Sequence, residues 1–367
     1  MGRSRARFDK PLALLIAILV IGGALIFASA AFGLLARGAE HMSSVVFNHV
    51  ALGIGIGLIA LLVGASIDHR HWRRFAPYLF AAALIATAAV FLPLIGAEHG
   101  GGRRWLIIFG TSFQPSEALK LATIMFAASY FATFRAKVAT YTYGLGGFVM
   151  IVALPVVLLV LQPDLGTLGI ICLSVMAIFI AAGASWKHIA VAACIAVLGL
   201  GALTATRPYV RERVMTFVYP SIGQHDQAYQ IRQSLIAIGS GKFAGRGFGQ
   251  GIQKFTYLPE PMGDSIFAVA GEELGFVGAT GIVLLFLLFA FRGLSIGARA
   301  PDQFGALLAI GISTYLGSEA FINIAAMLGL APLTGVPLTF MSQGGSAMLV
   351  SLASAGILLS ISRHRKK

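Results

Sequence analysis

The stretch that decides the fold runs from Gly239 to Gly278 and reads GSGKFAGRGFGQGIQKFTYLPEPMGDSIFAVAGEELGFVG. It opens as a polar, glycine-rich run and passes Leu258-Pro259-Glu260. From Ile266 it is apolar, with only Glu272 and Glu273 interrupting. Glycines at 241, 245, 247, 249 and 251 predict a backbone that turns tightly and lets another surface approach closely. They do not form a phosphate-binding P-loop, because no Gly-Lys-Ser/Thr ends the run and no strand precedes it. The stretch reads as a large loop entering a membrane helix, with an acid, Asp264, at the point of entry.

The rest of the chain supports that reading. Hydrophobic residues make up 57% of its 367 positions and charged ones 11%, with a mean hydropathy of +0.86. Such a composition excludes a water-soluble globule. A bilayer-crossing helix needs about 20 apolar residues, and windows of that kind fall at 12–34, 47–67, 75–95, 116–134, 143–163, 165–183, 188–206, 265–291, 303–328 and 344–362. The expected fold is therefore an all-α polytopic membrane protein of about ten transmembrane helices, a single domain over residues 1–367. No repeat, low-complexity tract or soluble-domain boundary is visible. The basic run before the first span is followed by an apolar stretch long enough to cross, without a clear cleavage site, so no cleavable signal is expected.

Charge orients the bundle. Sixteen of the 27 Lys and Arg residues fall before span 1, after spans 2, 4, 6 and 8, and after span 10. By the positive-inside rule that side is cytoplasmic and so are both termini. The net charge of +13 is thus assigned to loops and anionic headgroups, and nucleic acid is not an expected partner. The other side holds Arg37, the Arg103-Arg104 pair and one large outer loop, about 207–263, between helices 7 and 8. That loop has a cation excess. Either it is indifferent, long loops being partly exempt from the rule, or it meets a phosphate or pyrophosphate. Cys172 and Cys194 lie inside apolar spans and read as small buried hydrophobes.

Several polar residues sit where they are costly. Glu117, Lys120, Asp164, Glu272, Glu273 and Glu319 lie in or at the ends of spans, where a charge needs a partner or a wet cavity. Glu117 and Lys120 are spaced i, i+3 and can pair. Asp164, in Gln-Pro-Asp-Leu-Gly-Thr, fits a helix N-cap. So does Asp264, after Gly263 at a helix start. Glu272 and Glu273 fit structural packing. Trp105, beside Arg104, reads either as an interfacial anchor or as a wall of a substrate groove. No paired His/Cys motif of metal-ligand spacing and no GxSxG element occurs.

At these residues the chain resembles the SEDS family (shape, elongation, division and sporulation), the FtsW/RodA group of peptidoglycan polymerases. The resemblance is collinear over nearly the whole chain. It rests on Arg104-Trp105 with Gln114-Pro115-Ser116-Glu117 and Lys120, on Gln162-Pro163-Asp164-Leu165-Gly166-Thr167, and on Tyr229-Gln230 through the glycine run. Leu258-Pro259-Glu260, Asp264, Glu272-Glu273-x-Gly275-Phe276, Asn323, Pro332-Leu333-Thr334-Gly335 and Ser342-x-Gly344-Gly345-Ser346 complete it. Departures are Met262-Gly263 for a common His-Thr, Ser265 for Phe, Thr339 for Pro, Gln343 for Tyr and Glu319 for Gln. The aspartate is kept. The Gly-Gln-Gly-x-Gln-Lys run leans toward the FtsW branch.

The resemblance implies polymerisation of lipid II on the outer face of the bacterial cytoplasmic membrane, for division or elongation. The growing glycan on undecaprenyl pyrophosphate would be the donor. Asp264 is then the expected general base, and Arg211, Arg213 and Lys254 are candidates for neutralising the departing pyrophosphate, with a divalent cation (Mg or Mn) as a possible helper. Arg104, Trp105, Glu117, Lys120 and Asp164 would bind substrate or shape its cavity. The implied partners are a class B penicillin-binding transpeptidase and other divisome or elongasome membrane proteins. Two other readings stay open: a lipid II flippase, and a non-catalytic division scaffold in which Asp264 is only a cap.

Overall fold

The structure is a computed structural model and describes residues 8–36, 42–99, 102–108, 111–219 and 226–363. The basic residues at 3, 5, 7 and 365–367, and Arg37, lie outside the described residues. Helix α1 (Lys10–Ala36) is followed by α2 (Met42–Phe47), a π-helical stretch (Asn48–Ile56) and α3 (Gly57–Ser66), which together make one span. Next come α4 (His69–Ala89), a small sheet of β1 (Gly96–His99), β2 (Gly102–Ile108) and β3 (Thr111–Phe113), and α5 (Pro115–Thr133). A π turn (Tyr141–Leu145) runs into α6 (Gly146–Leu161), and α7 (Leu165–Ala181) and α8 (Trp186–Thr206) follow. The large loop folds as α9 (Pro208–Val218), α10 (Asp226–Ser240) and α11 (Gln253–Thr256). Helices α12 (Ile266–Ala298), α13 (Gln303–Met327) and α14 (Gly345–Arg363) end the chain.

Seven of these segments are long and apolar enough to cross a membrane, and α7 is apolar but shorter. Helices α4 and α5 occupy the two remaining expected positions. The chain is a multi-pass membrane protein. Its centre is α13 and α14, whose apolar windows are 67% and 83% buried. Helix α8, at 6%, stands at the edge with nearly every side chain turned outward. An apolar helix with no polar face is what a lipid-facing position selects.

Two departures from an all-helical bundle matter for the site. The first is the antiparallel sheet β1-β2-β3, with Ala97 opposite Trp105 and Leu106 opposite Phe113. It occupies residues 96–113, between the expected spans 75–95 and 116–134. The second is in α12. At 33 residues a straight helix would be ~50 Å long, well beyond the ~30 Å hydrocarbon core. Gly275 breaks it, at φ 66° and ψ −166°. The span therefore starts near Phe276, and residues 266–274 form a buried half-helix beside α10.

A broken helix in a membrane exposes backbone groups that only protein can satisfy. Here the glycine-rich loop supplies the partners. Arg246 and Gly247 N–H groups donate to the Glu272 and Glu273 carbonyls at 3.0 Å each, and the Phe276 and Val277 N–H groups donate to the Lys242 and Phe243 carbonyls at 2.9 and 3.2 Å. The approach is close enough that a Cβ on Gly275 would lie 2.2 Å from the Gly245 nitrogen. The side chains of the acidic pair finish the clasp. Glu272 accepts from the Ile252 and Gln253 N–H groups at 2.9 and 3.1 Å, and Glu273 from the Gly249 N–H at 3.0 Å.

Candidate active site

Asp264 sits in the turn just ahead of the half-helix. It is not the N-cap that a helix start would suggest: Ser265 holds that position, and no side chain caps there. Instead the carboxylate is held by α10. That helix buries Ala228, Ile231, Ser234 and Ala237 at a three-residue spacing, which turns Gln230 inward as well. Gln230 Nε2 donates to Asp264 Oδ1 at 2.8 Å and to Ser265 Oγ at 2.9 Å. Among the described residues no second side chain donates to this carboxylate.

The backbone of the turn is fixed just as firmly. Asn323 on α13 donates to the Asp264 and Val336 carbonyls, both at 2.8 Å, and Ser342 Oγ donates to the Gly263 carbonyl at 2.7 Å. Burial, then the negative charge of Glu260, push the Asp264 carboxyl up to about 6. The Gln230 hydrogen bond and the charge of Arg213 act against them. The result is a carboxylate poised near neutrality, where a base can both take and release a proton.

A cationic group stands beside it. Arg104 on β2 donates through Nε to the Gln162 carbonyl at 3.0 Å and also binds the Pro163 carbonyl. Asp164 caps α7, accepting from the Thr167 N–H at 3.2 Å, and accepts from Ser116 Oγ at 3.3 Å and Gln114 Nε2 at 3.4 Å. Arg213 reaches the Thr334 carbonyl at 3.4 Å. Burial first, and then the like charge of Arg104, lower the Arg213 guanidinium from its ordinary value; Asp164, Tyr209 and Asp264 pull it back. These five residues thus share one electrostatic neighbourhood. The Tyr209 hydroxyl, Thr334 Oγ1 and Asn323 Oδ1 are buried with no partner among the described residues. Buried polar atoms are costly when unpaired.

Other expected site residues go elsewhere. Lys120 is buried between Glu117 at 2.9 Å and Glu319 at 2.7 Å, with its ammonium 5.0 Å from the Tyr315 ring centroid. Glu319 in turn accepts from Thr339 Oγ1 at 3.5 Å, which ties the triad to the segment that holds Asp264. Arg211 is exposed, two residues from Arg213 and so on a different helix face. Trp105 is half-buried on β2 next to Arg104. Lys254 requires a correction. It is fully buried, at 2.6 Å from both Glu273 Oε1 and Ser29 Oγ, so its charge is spent on joining the glycine-rich loop to α1 and α12. It is not positioned to neutralise a ligand. Gln230, Asn323, Ser342 and Tyr209 were not singled out as site residues, although the first three lie in the motifs quoted above.

Fold and site together define a multi-pass membrane protein in which a carboxylate and two arginines share one electrostatic neighbourhood. The chain belongs to the FtsW, RodA and SpoVE family, whose model, described as "Cell cycle protein", matches residues 10–367. It is 36% identical over 312 residues to stage V sporulation protein E of Bacillus subtilis (strain 168), covering 85% of each chain. It is also 36% identical over 356 residues to a probable peptidoglycan glycosyltransferase FtsW of Nitrosomonas europaea, covering 94% of this chain and 88% of that one. Among solved structures it superposes on a chain of a peptidoglycan synthase complex, described for its coordination of polymerisation and crosslinking, with a TM-score of 0.76 and 26% identity over 98% of both chains. Rod shape determining protein RodA of Thermus thermophilus matches with a TM-score of 0.71 and 26% identity, again over 98% of both.

Proposed function

We propose that this protein is a peptidoglycan glycosyltransferase of the FtsW type, polymerising lipid II on the outer face of the cytoplasmic membrane with Asp264 as general base. The observation that carries the reading is the Asp264 carboxylate, raised to about 6 and held through one oxygen by Gln230, in the neighbourhood of Arg104 and Arg213. The probable peptidoglycan glycosyltransferases among its relatives support the reaction class.

The chemistry follows from these groups. The 4-hydroxyl oxygen of the acceptor GlcNAc attacks C1 of the donor MurNAc with inversion. Its proton passes to Asp264 as the new C–O bond forms. The bond from C1 to the pyrophosphate oxygen breaks, and undecaprenyl pyrophosphate leaves with the electron pair. Arg213 and Arg104 neutralise that leaving group, which then needs no partner acid. Asp264 returns its proton to water before the next cycle. Glu117, Lys120 and Asp164 keep the site in shape, and Trp105 provides a face for a sugar.

Among the described residues no group of three His, Cys, Asp or Glu could hold a metal ion, and two guanidinium groups already supply positive charge. A divalent ion would be held by the pyrophosphate oxygens, where it would add positive charge beside Arg213 and Arg104. A penicillin-binding transpeptidase of class B is the proposed partner, by analogy with the synthase complex.

The decisive experiment compares lipid II polymerisation by purified wild type and Asp264→Asn of matched stability. A loss of at least ~100-fold is expected for removal of a general base. Equal glycan yield would eliminate the proposal and leave Asp264 a structural residue.

A further inference from the structure

The glycine-rich loop carries an apolar edge that the reaction does not use. Phe243 is 70% exposed, Phe248 51% and Ile252 52%. In a water-facing loop three such side chains would be an unexplained hydrophobic patch. Their depth can be read from the helices they touch. Arg292 on α12 forms a two-pronged ion pair with Asp9, at 2.9 and 2.7 Å, beside the start of α1, and this pair marks one edge of the bilayer. Sixteen residues separate Arg292 from Phe276 along an unbroken helix, a rise of about 24 Å. The hydrocarbon core is about 30 Å thick, so Phe276 lies inside its far boundary.

Phe243 is at that same level. The Val277 N–H donates to the Phe243 carbonyl at 3.2 Å, and the rings of Phe243 and Phe276 stack with centroids 6.1 Å apart. Phe276 and Val277 are themselves 62% and 55% exposed on the outward side of a span. A second measure agrees with the first. Ser29, which hydrogen-bonds Glu273, lies nineteen residues beyond Lys10 on α1, about 28 Å along it.

Phe248, whose neighbours Gly247 and Gly249 bond to Glu273, stands over an apolar hollow that runs inward. It lines this hollow, of about 290 Å³, together with Leu25 and Ile26 of α1 and Gly278 and Ile282 of α12. Ile282 is only ten residues from Arg292, close to the bilayer midplane at ~15 Å.

We infer that residues 242–252 lie within the outer leaflet rather than above it, and that the acyl chains of bulk phospholipid cover Phe243 and Ile252 and fill the hollow beneath Phe248. The exposed Lys242 fits this placement. Lys242 can lay its stem along the apolar edge and reach anionic headgroups, while Arg246 turns inward to Glu272 at 3.4 Å and Ser240 Oγ at 3.3 Å. The loop is satisfied at this depth because its backbone bonds to the broken α12 in place of water. The catalytic turn is therefore attached to a segment immersed in lipid.

Site-directed spin labelling tests the placement. Cys172 and Cys194 are replaced by Ala, and single nitroxides are attached at Phe243→Cys, Phe248→Cys and Ile252→Cys. The protein is placed in vesicles of 3:1 phosphatidylethanolamine and phosphatidylglycerol. Collision with oxygen, which concentrates in hydrocarbon, is compared with collision with a water-soluble nickel chelate. Val197→Cys on the lipid-facing α8 and Ala136→Cys in the Arg135–Lys137 turn are the reference sites. The expected oxygen-to-nickel ratio at all three loop positions matches that at Val197 and exceeds that at Ala136 severalfold. A ratio matching Ala136 would put the loop in water. Low collision with both reagents would mean that protein, a second copy for example, covers the edge. Either result overturns the inference.

Discussion

Asp264 is placed for its task by one neutral side chain, and that choice has consequences for pH. Gln230 donates to the ionised form of the carboxylate, so it opposes burial and Glu260, and the balance leaves the group raised to about 6. As a general base Asp264 must be ionised, and the rate should therefore rise with pH through about 6 and level off above it. Replacing Gln230 by Leu removes the donor and adds apolar surface. Both changes disfavour the anion, so the acid limb moves upward. A hydrogen bond to a charged group contributes ~1.5 kcal/mol and one pKa unit is ~1.4 kcal/mol, which predicts a shift of about one unit. The measurement is kcat/KM for lipid II polymerisation from pH 5 to 8; an unmoved limb would mean that Gln230 does not hold the ionising group. At this scale the sequence was a good guide to the acid, because an Asp at the start of an apolar run stands out. It was a poor guide to the acid's holder, which lies 34 residues away on a helix whose register only the fold reveals.

The elements were legible wherever an apolar run of adequate length marked them, and illegible where tertiary contacts overrode the run. Residues 265–291 read as one continuous span. The chain instead breaks at Gly275 because Gly245 must come within reach of it. Alanine at 275 would face both a positive φ and the Gly245 backbone, at a cost of more than ~2 kcal/mol. A thermal melt in detergent should show a clear fall in Tm. Gly281, six residues along the same helix, has open space within 4 Å of where a Cβ would stand, and Gly281→Ala should melt as wild type does or slightly higher. Equal Tm values for the two variants would mean that the loop does not press on the helix break. The β1-β2-β3 sheet was hidden for a different reason. Its strands are four, seven and three residues long, too short to show periodicity among glycines.

Across the whole molecule, charges that look alike in sequence have opposite fates. Arg213 and Lys254 both read as loop cations suited to a phosphate. One stands in the electrostatic neighbourhood of Asp264, and the other is buried where the loop, α1 and α12 meet. Removing one member of a buried ion pair leaves the other uncompensated, at ~3–5 kcal/mol. Lys254→Met should therefore lower Tm sharply, and adding Glu273→Gln should restore a large part of it, as read by thermal melts of the single and double variants. A Lys254→Met protein that kept its Tm but lost activity would return the lysine to the substrate site. No amount of counting charges could have sorted the two, since the distinction depends on which loop residue meets Ser29.

The break in α12 also bears on how the chain acquires its shape during synthesis. Residues 242–247 leave the ribosome ahead of residues 272–277, so the template for the bend is already made when the helix arrives. Within the helix only Gly275 departs from helical φ and ψ. Transplanted into another scaffold without its preceding segment, the same 33 residues would close their own hydrogen bonds and form a straight rod, too long for the bilayer and with no fixed platform for the carboxylate.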